Sequence, residues 1–311
     1  MSDDFIAKLS GILDDIRRKG NYRQIRYLTP VSETKVLYES RQYVNLCSNS
    51  YLSLHNHPRI IGAVKEAADR YGSGTCSSRS VSGSVDLYDA LERAVASYKG
   101  YPRALIFSNG YMANIGIIST LTDENDVIFT DELNHSSLIH SMRLSRAKKV
   151  LYKHRDMRDL ERKLRLDHTE GVRFVVSESV FSMDGDIAPL DELVGLKERY
   201  GCRLILDDAH GTGVFGQDGS GVEEMFAVKG RMDIHMATFG KALGSFGAFV
   251  LADPVVIEYL INRAKTFMYT TALPAPVLAA SLEALSVVQE DLSLKEQLWR
   301  NIAYMREGLG S

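Results

Sequence analysis

Lys241 has the surroundings that say most about chemistry. It lies in TFGKALGSFG, between two apolar runs, among small and aromatic residues, with no carboxylate partner beside it and no helical charge pattern. Most lysines are solvated surface charges. A lysine in a partly desolvated site gives up its proton more readily and becomes a nucleophilic amine. Schiff-base chemistry needs such an amine. Asp207 ends an apolar run of Leu204, Ile205 and Leu206. A carboxylate emerging from a buried strand is expensive unless a cation faces it. Alone, Asp207 reads better as a cap on the following turn. With Lys241 it suggests a protonated pyridine nitrogen as partner. A lysine for the aldehyde and an acid for the ring nitrogen are what pyridoxal phosphate chemistry requires.

A phosphate needs an anion site. The run 104–107 leads through Ser108, Asn109 and Gly110 into a helical pattern, whose first amides would favour an anion. Thr238, three residues before Lys241, adds a hydroxyl. His135 follows another apolar run and could stack on a flat ring, although a satisfied core histidine is the commoner case. In open α/β sheets ligands bind at the carboxyl ends of the strands. That rule gathers Ser108-Asn109-Gly110-Tyr111, His135-Ser136-Ser137, Glu178 with Ser182, Asp207-Asp208-Ala209-His210 and Thr238-Phe239-Gly240-Lys241. No Cys/His group has zinc spacing, and no metal is expected. No phosphate loop of the GxxxxGK[ST] type is present. GTGVFG (211–216) matches GxGxxG only nominally, because it follows an acidic strand end; it reads as a flexible turn.

The elements that must position these residues follow from hydrophobic period. Strands are expected at 104–110, 126–132, 148–154, 173–179, 203–210, 233–240 and 247–253. Helical patterns fall between them, at NIGIISTLT, 158–166, 190–201 and from Pro254 to about Lys265. Gly201 is a suitable C-cap, and Pro254 suits a first turn. Such alternation predicts an α/β domain with a mostly parallel sheet. Residues 3–19 read as an amphipathic helix with Phe5, Ile6, Leu9, Ile12, Leu13 and Ile16 on one stripe. That stripe would pack on the body of the protein or on a partner subunit. Pro274 and Pro276 mark a boundary, and 277–308 reads as one long helix. The expected division is 1–48, 49–276 and 277–311.

Of the 311 residues 45% are hydrophobic and 25% charged, which fits a folded globular chain rather than a disordered or collagen-like one. The 37 basic and 40 acidic residues leave a net charge of −3, so neither nucleic acid nor an anionic membrane is expected as partner. Three cysteines, Cys47, Cys76 and Cys202, without a CxxC pair, suit a reducing compartment. With no signal-peptide pattern and no long apolar run, a cytoplasmic location is expected.

The residues together resemble a known family, the α-oxoamine synthases. The matching stretches are NLCSNSYLSLHNHP (45–58), SNGYMAN (108–114), NHSSL (134–138), ESVFSMDGDIAPL (178–190), DDAHGTGVFG (207–216), TFGKALG (238–244) and YTTALP (269–274). They stand in family order and cover nearly the whole chain. The resemblance implies the type I fold of pyridoxal-phosphate enzymes, as in aspartate aminotransferase. It implies that Lys241 carries the cofactor and that Asp207 pairs with the pyridine nitrogen. His210 and Ser182 would be partners of the ring's phenolic oxygen, and His135 would stack on the ring. Gly110 and Tyr111 match the turn near the cofactor, and Thr238 a phosphate ligand. Thr270 and Thr271 match hydroxyls that reach the phosphate of the neighbouring subunit's cofactor, so a homodimer is implied. Asn49 and Arg23 match substrate-side positions, with Arg26 close to the latter.

The implied reaction condenses an amino acid with an acyl thioester and releases CO2 and a thiol. The DDAHGTG form resembles the members that join L-alanine to a pimeloyl group carried on CoA or a carrier protein. The alternatives are a glycine-using relative, a pyridoxal-phosphate-binding chain without turnover, and an aldolase or aminotransferase of the same fold type. The family normally continues into a small C-terminal α/β subdomain, so the sequence is expected to be a fragment or a truncated product with doubtful full turnover.

Overall fold

The computed structural model describes residues 2–310, and side chains from Asp4 onward. The chain divides into two units, 1–48 and 49–311. The first holds α1 (Ser2–Arg18) and an antiparallel sheet of β1 (Thr29–Pro30), β2 (Lys35–Tyr38) and β3 (Arg41–Val44). On α1, Phe5, Ile6, Leu9, Ile12 and Leu13 are exposed.

The second unit runs α2 (Pro58–Tyr71), α3 (Asp86–Lys99), β4 (Arg103–Phe107), α4 (Gly110–Leu121), β5 (Val127–Asp131), α5 (Ser136–Leu144), β6 (Lys148–Tyr152), α6 (Met157–Leu166), β7 (Arg173–Glu178), α7 (Leu190–Tyr200), β8 (Arg203–Asp207), α8 (Val222–Met225), β9 (Ile234–Thr238), β10 (Ala248–Ala252), α9 (Pro254–Arg263), α10 (Lys265–Met268), α11 (Ala275–Glu290) and α12 (Ser293–Leu309). Its sheet has the order β4-β10-β9-β8-β7-β5-β6. The pairs from β9 through β8, β7 and β5 to β6 are parallel; β10 is antiparallel to both β4 and β9. The seven expected strands are the seven strands of this sheet, with ends trimmed by one to three residues.

These strands are apolar at successive positions because both sheet faces are covered. Leu204 and Leu206 of β8, Val175 of β7 and Ile106 of β4 enter one core, with Leu91 and Val95 of α3, Leu160 of α6, Leu193 of α7 and Leu285 of α11. Ile205, Val176 and Phe107 point the other way, into a core with Ile117 of α4, Leu138 of α5, Leu260 of α9 and Phe267 of α10. The result is three layers, helix–sheet–helix. Helix starts are set by side-chain caps: Asn109 accepts from the Met112 amide, Asp156 from Asp159 and Asp253 from Val255.

The expected single helix over 277–308 is instead two. Asp291 accepts hydrogen bonds from both the amide and the hydroxyl of Ser293, at 3.0 and 2.5 Å, and this local turn competes with the helical ladder. α11 packs on α2 and α3 within the second unit. α12 buries no residue fully, but Trp299 Nε1 donates to the Val214 carbonyl at 3.0 Å.

Between β9 and β10 the chain turns tightly through 239–247 and carries Lys241. The turn closes with Gly244 N–H donating to the Lys241 carbonyl and Ser245 N–H to the Phe239 carbonyl, both at 2.9 Å. Gly244 has φ +62°, and an added Cβ would stand 2.4 Å from the His55 amide nitrogen. Gly244→Ala therefore meets left-handed strain and a backbone clash together, and should destabilise the protein by about 2–4 kcal/mol. Gly195, exposed within α7, has nothing within 4 Å of such a Cβ. Gly195→Ala should be neutral or stabilising by up to about 1 kcal/mol. Urea unfolding of both variants checks the contrast, and equal effects would refute it.

Candidate active site

Five strand ends converge on one cavity of about 210 Å³. Gly110, Tyr111 and Asn114 come from the start of α4, after β4. His135 and Ser137 come from the start of α5, after β5. Glu178 ends β7, Asp207 ends β8 and is followed by Ala209 and His210, and Met236, Thr238 and Lys241 come from β9 and its turn. Parallel strands running in one direction place their carboxyl ends on one edge of the sheet, and helix N-termini meet them there.

Asp207 is buried at the back of this cavity. One carboxylate oxygen accepts from Asn114 Nδ2 at 2.8 Å, and the other from the Ala209 amide at 3.0 Å. Asn114 Nδ2 also donates to Ser137 Oγ at 2.9 Å, which ties Asp207 to the start of α5. His135 caps α5 by accepting from the Ser137 amide, and its own amide donates to Glu178 Oε1 at 2.5 Å. His210 Nδ1 lies 2.8 Å from the Tyr51 hydroxyl, which is 3.3 Å from Asn49 Oδ1.

One cause governs the ionisation of all four buried groups. Burial pushes the Asp207 carboxyl up from its usual range, against the pull of the Asn114 amide and the Lys241 charge. Burial, reinforced by the Asp207 charge, pushes Glu178 up to about 8. Burial pulls the Lys241 amine down, against Asp207 and Glu178. Burial, then the positive charges of Lys241 and His135, pull His210 down to about 4. Burial disfavours every charge that lacks a partner.

The cavity brings together Gly110, Tyr111, His135, Asp207, His210, Thr238 and Lys241. Thr238 Oγ1 accepts from the Gly240 amide at 3.0 Å and donates to the Gly247 carbonyl at 2.8 Å, so its hydroxyl bridges the ends of the Lys241 turn. The Tyr111 hydroxyl is hydrogen-bonded to His140 Nδ1. Asn49 reaches the site through Tyr51. Ser182 is exposed and does not line the cavity; its backbone faces the Glu178 carboxylate. Thr270 and Thr271 line a separate small cavity with Ser108, Arg79 and Tyr88. Arg23 and Arg26 belong to the first unit and are exposed. Asn114 carries a contact to Asp207 that no spacing rule singled out. Its only sequence signal is its place one turn into the helix after β4.

The 211–216 segment is a turn, as expected, but not a loose one. Residues 211–214 are buried. A Cβ on Gly211 would fall 2.0 Å from Asp208 Oδ1, so glycine is required there for close packing on a carboxylate, not for a nucleotide.

A family model described as aminotransferase class I and II matches residues 41–311, and the chain belongs to that family. Within it the chain is similar to the 8-amino-7-oxononanoate synthases, in line with the α-oxoamine synthase resemblance of its motifs. The one from Geobacter sulfurreducens is 47% identical over 303 residues, covering 97% of this chain and 78% of the relative. The one from Thermoanaerobacter pseudethanolicus is 41% identical over 309 residues, covering 99% and 78%. Among solved structures, serine palmitoyltransferase from S. paucimobilis with bound PLP–myriocin aldimine superposes with a TM-score of 0.91 at 30% identity, covering 97% of this chain and 77% of that one. 8-Amino-7-oxononanoate synthase from Francisella tularensis gives a TM-score of 0.73 at 34% identity, covering 84% and 73%.

Pyridoxal phosphate is the cofactor, and the cavity suits it. Asp207 is a buried carboxylate with only neutral donors on its oxygens and no ion pair among the described residues, so a cationic ring nitrogen would complete it. Lys241 opens into the same space. The N-terminal amides of the twelve-residue α4 border it for an anion.

Glu178 gives a pH test. Its folded value, about 8, lies above the ordinary 4.5. The folded state therefore holds the proton more tightly, and stability present below the ordinary value is lost as pH rises through about 8. Thermal unfolding of the cofactor-free chain should show Glu178→Gln gaining on the wild type from pH 5 to pH 8, by at most a few kcal/mol. Parallel curves would show that Glu178 is not held protonated.

Proposed function

We propose that the chain catalyses the decarboxylative condensation of L-alanine with a pimeloyl thioester, carried on CoA or a carrier protein, as its relatives' name implies. The single observation carrying this reading is the joining of Lys241 and Asp207 in one cavity, in a chain 47% identical to an 8-amino-7-oxononanoate synthase. In the net reaction a bond forms between the amino acid's α-carbon and the thioester carbonyl carbon. The thiolate leaves, the amino acid's carboxylate leaves as CO2, and a proton returns to the α-carbon.

The bound cofactor supplies an aldehyde for an amine and an electron-withdrawing ring. The chain's own residues do the rest. Lys241 holds the cofactor covalently, and its lowered affinity for a proton suits it to take the proton from the α-carbon near neutral pH. Asp207, held by its two neutral donors, would keep the ring nitrogen protonated. His135 would stack on the ring, its side chain hydrogen-bonded to Ser137 and its backbone N–H donating to Glu178. His210 is neutral near pH 7 and, steadied by Tyr51, can donate to the phenolic oxygen. Ser182 is assigned to the same oxygen. Gly110, Tyr111 and Thr238 are assigned to the phosphate end and Asn49 and Arg23 to the substrate. Thr270 and Thr271 are assigned to the phosphate in a homodimer partner, which accords with their place outside the Lys241 cavity.

Mixing the purified chain with pyridoxal phosphate should give a visible absorbance band that Lys241→Ala abolishes. L-alanine should shift the band, and pimeloyl-CoA should then release free CoA. An unchanged spectrum in Lys241→Ala would reject the cofactor site. A shift with glycine alone would favour a glycine-using enzyme, since one methyl discriminates by only about 1–3 kcal/mol. A band without thiol release from any thioester would leave a cofactor-binding chain without this activity.

A further inference from the structure

Lys99, the last residue of α3, is 1% exposed and lies outside the cavity. Its ammonium donates to Asp208 Oδ2 at 2.8 Å and to the Ser220 carbonyl at 2.6 Å. Asp208 is buried as completely. Its Oδ1 accepts from Ser179 Oγ at 2.6 Å and its Oδ2 from Thr212 Oγ1 at 2.8 Å. On the far side, His235 Nε2 stands 3.8 Å from Asp208 Oδ2, and its Nδ1 is 2.6 Å from Glu223 Oε1. The Tyr101 hydroxyl donates to the same Glu223 oxygen at 2.6 Å. These contacts reach the segment that follows β8 at its start, Asp208 and Thr212, and at its end, Ser220 and Glu223. That segment carries His210, and its first residue is the neighbour of Asp207.

We propose that Lys99, acting through Asp208 and Ser220, is a positioning residue for the cofactor site: it closes the 208–220 segment into one loop and thereby fixes Asp207 and His210. The proposal rests on the reading of the cavity as a pyridoxal phosphate site. A buried ion pair is a poor source of net stability, because desolvation offsets the attraction and apolar or neutral replacements are often tolerated. What such a pair provides is a defined geometry. Lys99 is suited to that role because one ammonium joins both ends of the loop. Ser179, at the end of β7, adds the neighbouring strand through its hydroxyl on Asp208, while its amide donates to the Asp207 carbonyl at 2.9 Å.

The test compares Lys99→Met, Lys99→Gln and the neutral pair Lys99→Met/Asp208→Asn. The single Met variant leaves a buried carboxylate without a cation and should lower the melting temperature. The double variant removes that imbalance and should recover it. Amide hydrogen exchange in the cofactor-free chain should nevertheless be at least about tenfold faster over 209–220 in the double variant, with 203–207 and 248–252 unchanged. Its affinity for pyridoxal phosphate should fall by about tenfold or more. Lys99→Gln, which can still donate to Ser220, should fall between. A double variant that recovers melting temperature, loop exchange and cofactor affinity together would overturn the proposal, and so would failure of all three variants to fold, since the pair would then serve stability alone. If the wild type binds no pyridoxal phosphate, the cavity reading fails, and the exchange measurement still decides the loop assignment.

Discussion

A strand that ends in two successive carboxylates inside a sheet has to compensate both, and it has to do so on opposite faces. β8 does this with Asp207 and Asp208. Side chains alternate along a strand, so the first faces the cavity and the second faces the core behind it. Asp208 is answered within the chain by Lys99, Ser179 and Thr212. Among the described residues Asp207 has no ion pair and accepts hydrogen bonds from neutral amides, those of Asn114 and Ala209. The asymmetry is the functional feature. One carboxylate is saturated; the other has no ion pair among the described residues and faces the cavity, where a charged ring nitrogen would complete it. The start of α4, the cap of α5 and the glycine at 211 are arranged around these two groups.

Desolvation also sets the chemistry of the neighbours. Lys241 and His210 are pulled toward their neutral forms, and Glu178 is pushed toward its protonated form. In bulk water the first two would need a higher pH to act as bases and the third would be an anion. Packing of the strand ends, not any special sequence at these residues, does the tuning. The tight 239–247 turn contributes because it presses Lys241 into that space, and Gly244 permits the approach to the 54–55 backbone.

The sequence carried the sheet well. Seven apolar runs at regular spacing became seven strands of one sheet, because both faces are covered and each run is continuous. Lys241 and Asp207, which bring unusual chemistry to strand ends, stood out against those apolar runs, and His210 entered through the family resemblance. What the sequence hid are groups whose role depends on pairing at long range. Lys99 sits at the end of an ordinary amphipathic helix, 109 residues from the carboxylate it holds. Asn114 looks like one more polar residue on a helix. The antiparallel strand β10 is apolar in the same way as its parallel neighbours, so its direction left no mark. The Asp291–Ser293 turn splits an apolar stripe that periodicity alone continues.

The cavity and the relatives support different parts of the functional reading. A lysine, a buried carboxylate and a nearby histidine in one cavity, with pyridoxal phosphate, suit any reaction that loosens a bond at an amino acid's α-carbon. Serine palmitoyltransferase superposes over nearly the whole chain at 30% identity. Its name marks serine and a palmitoyl group, neither of which is in the name of the 8-amino-7-oxononanoate synthases. The lysine, the carboxylate and the histidine therefore do not by themselves select the substrate. That choice lies in shape at the pocket wall, where adding or removing a methyl changes affinity only modestly.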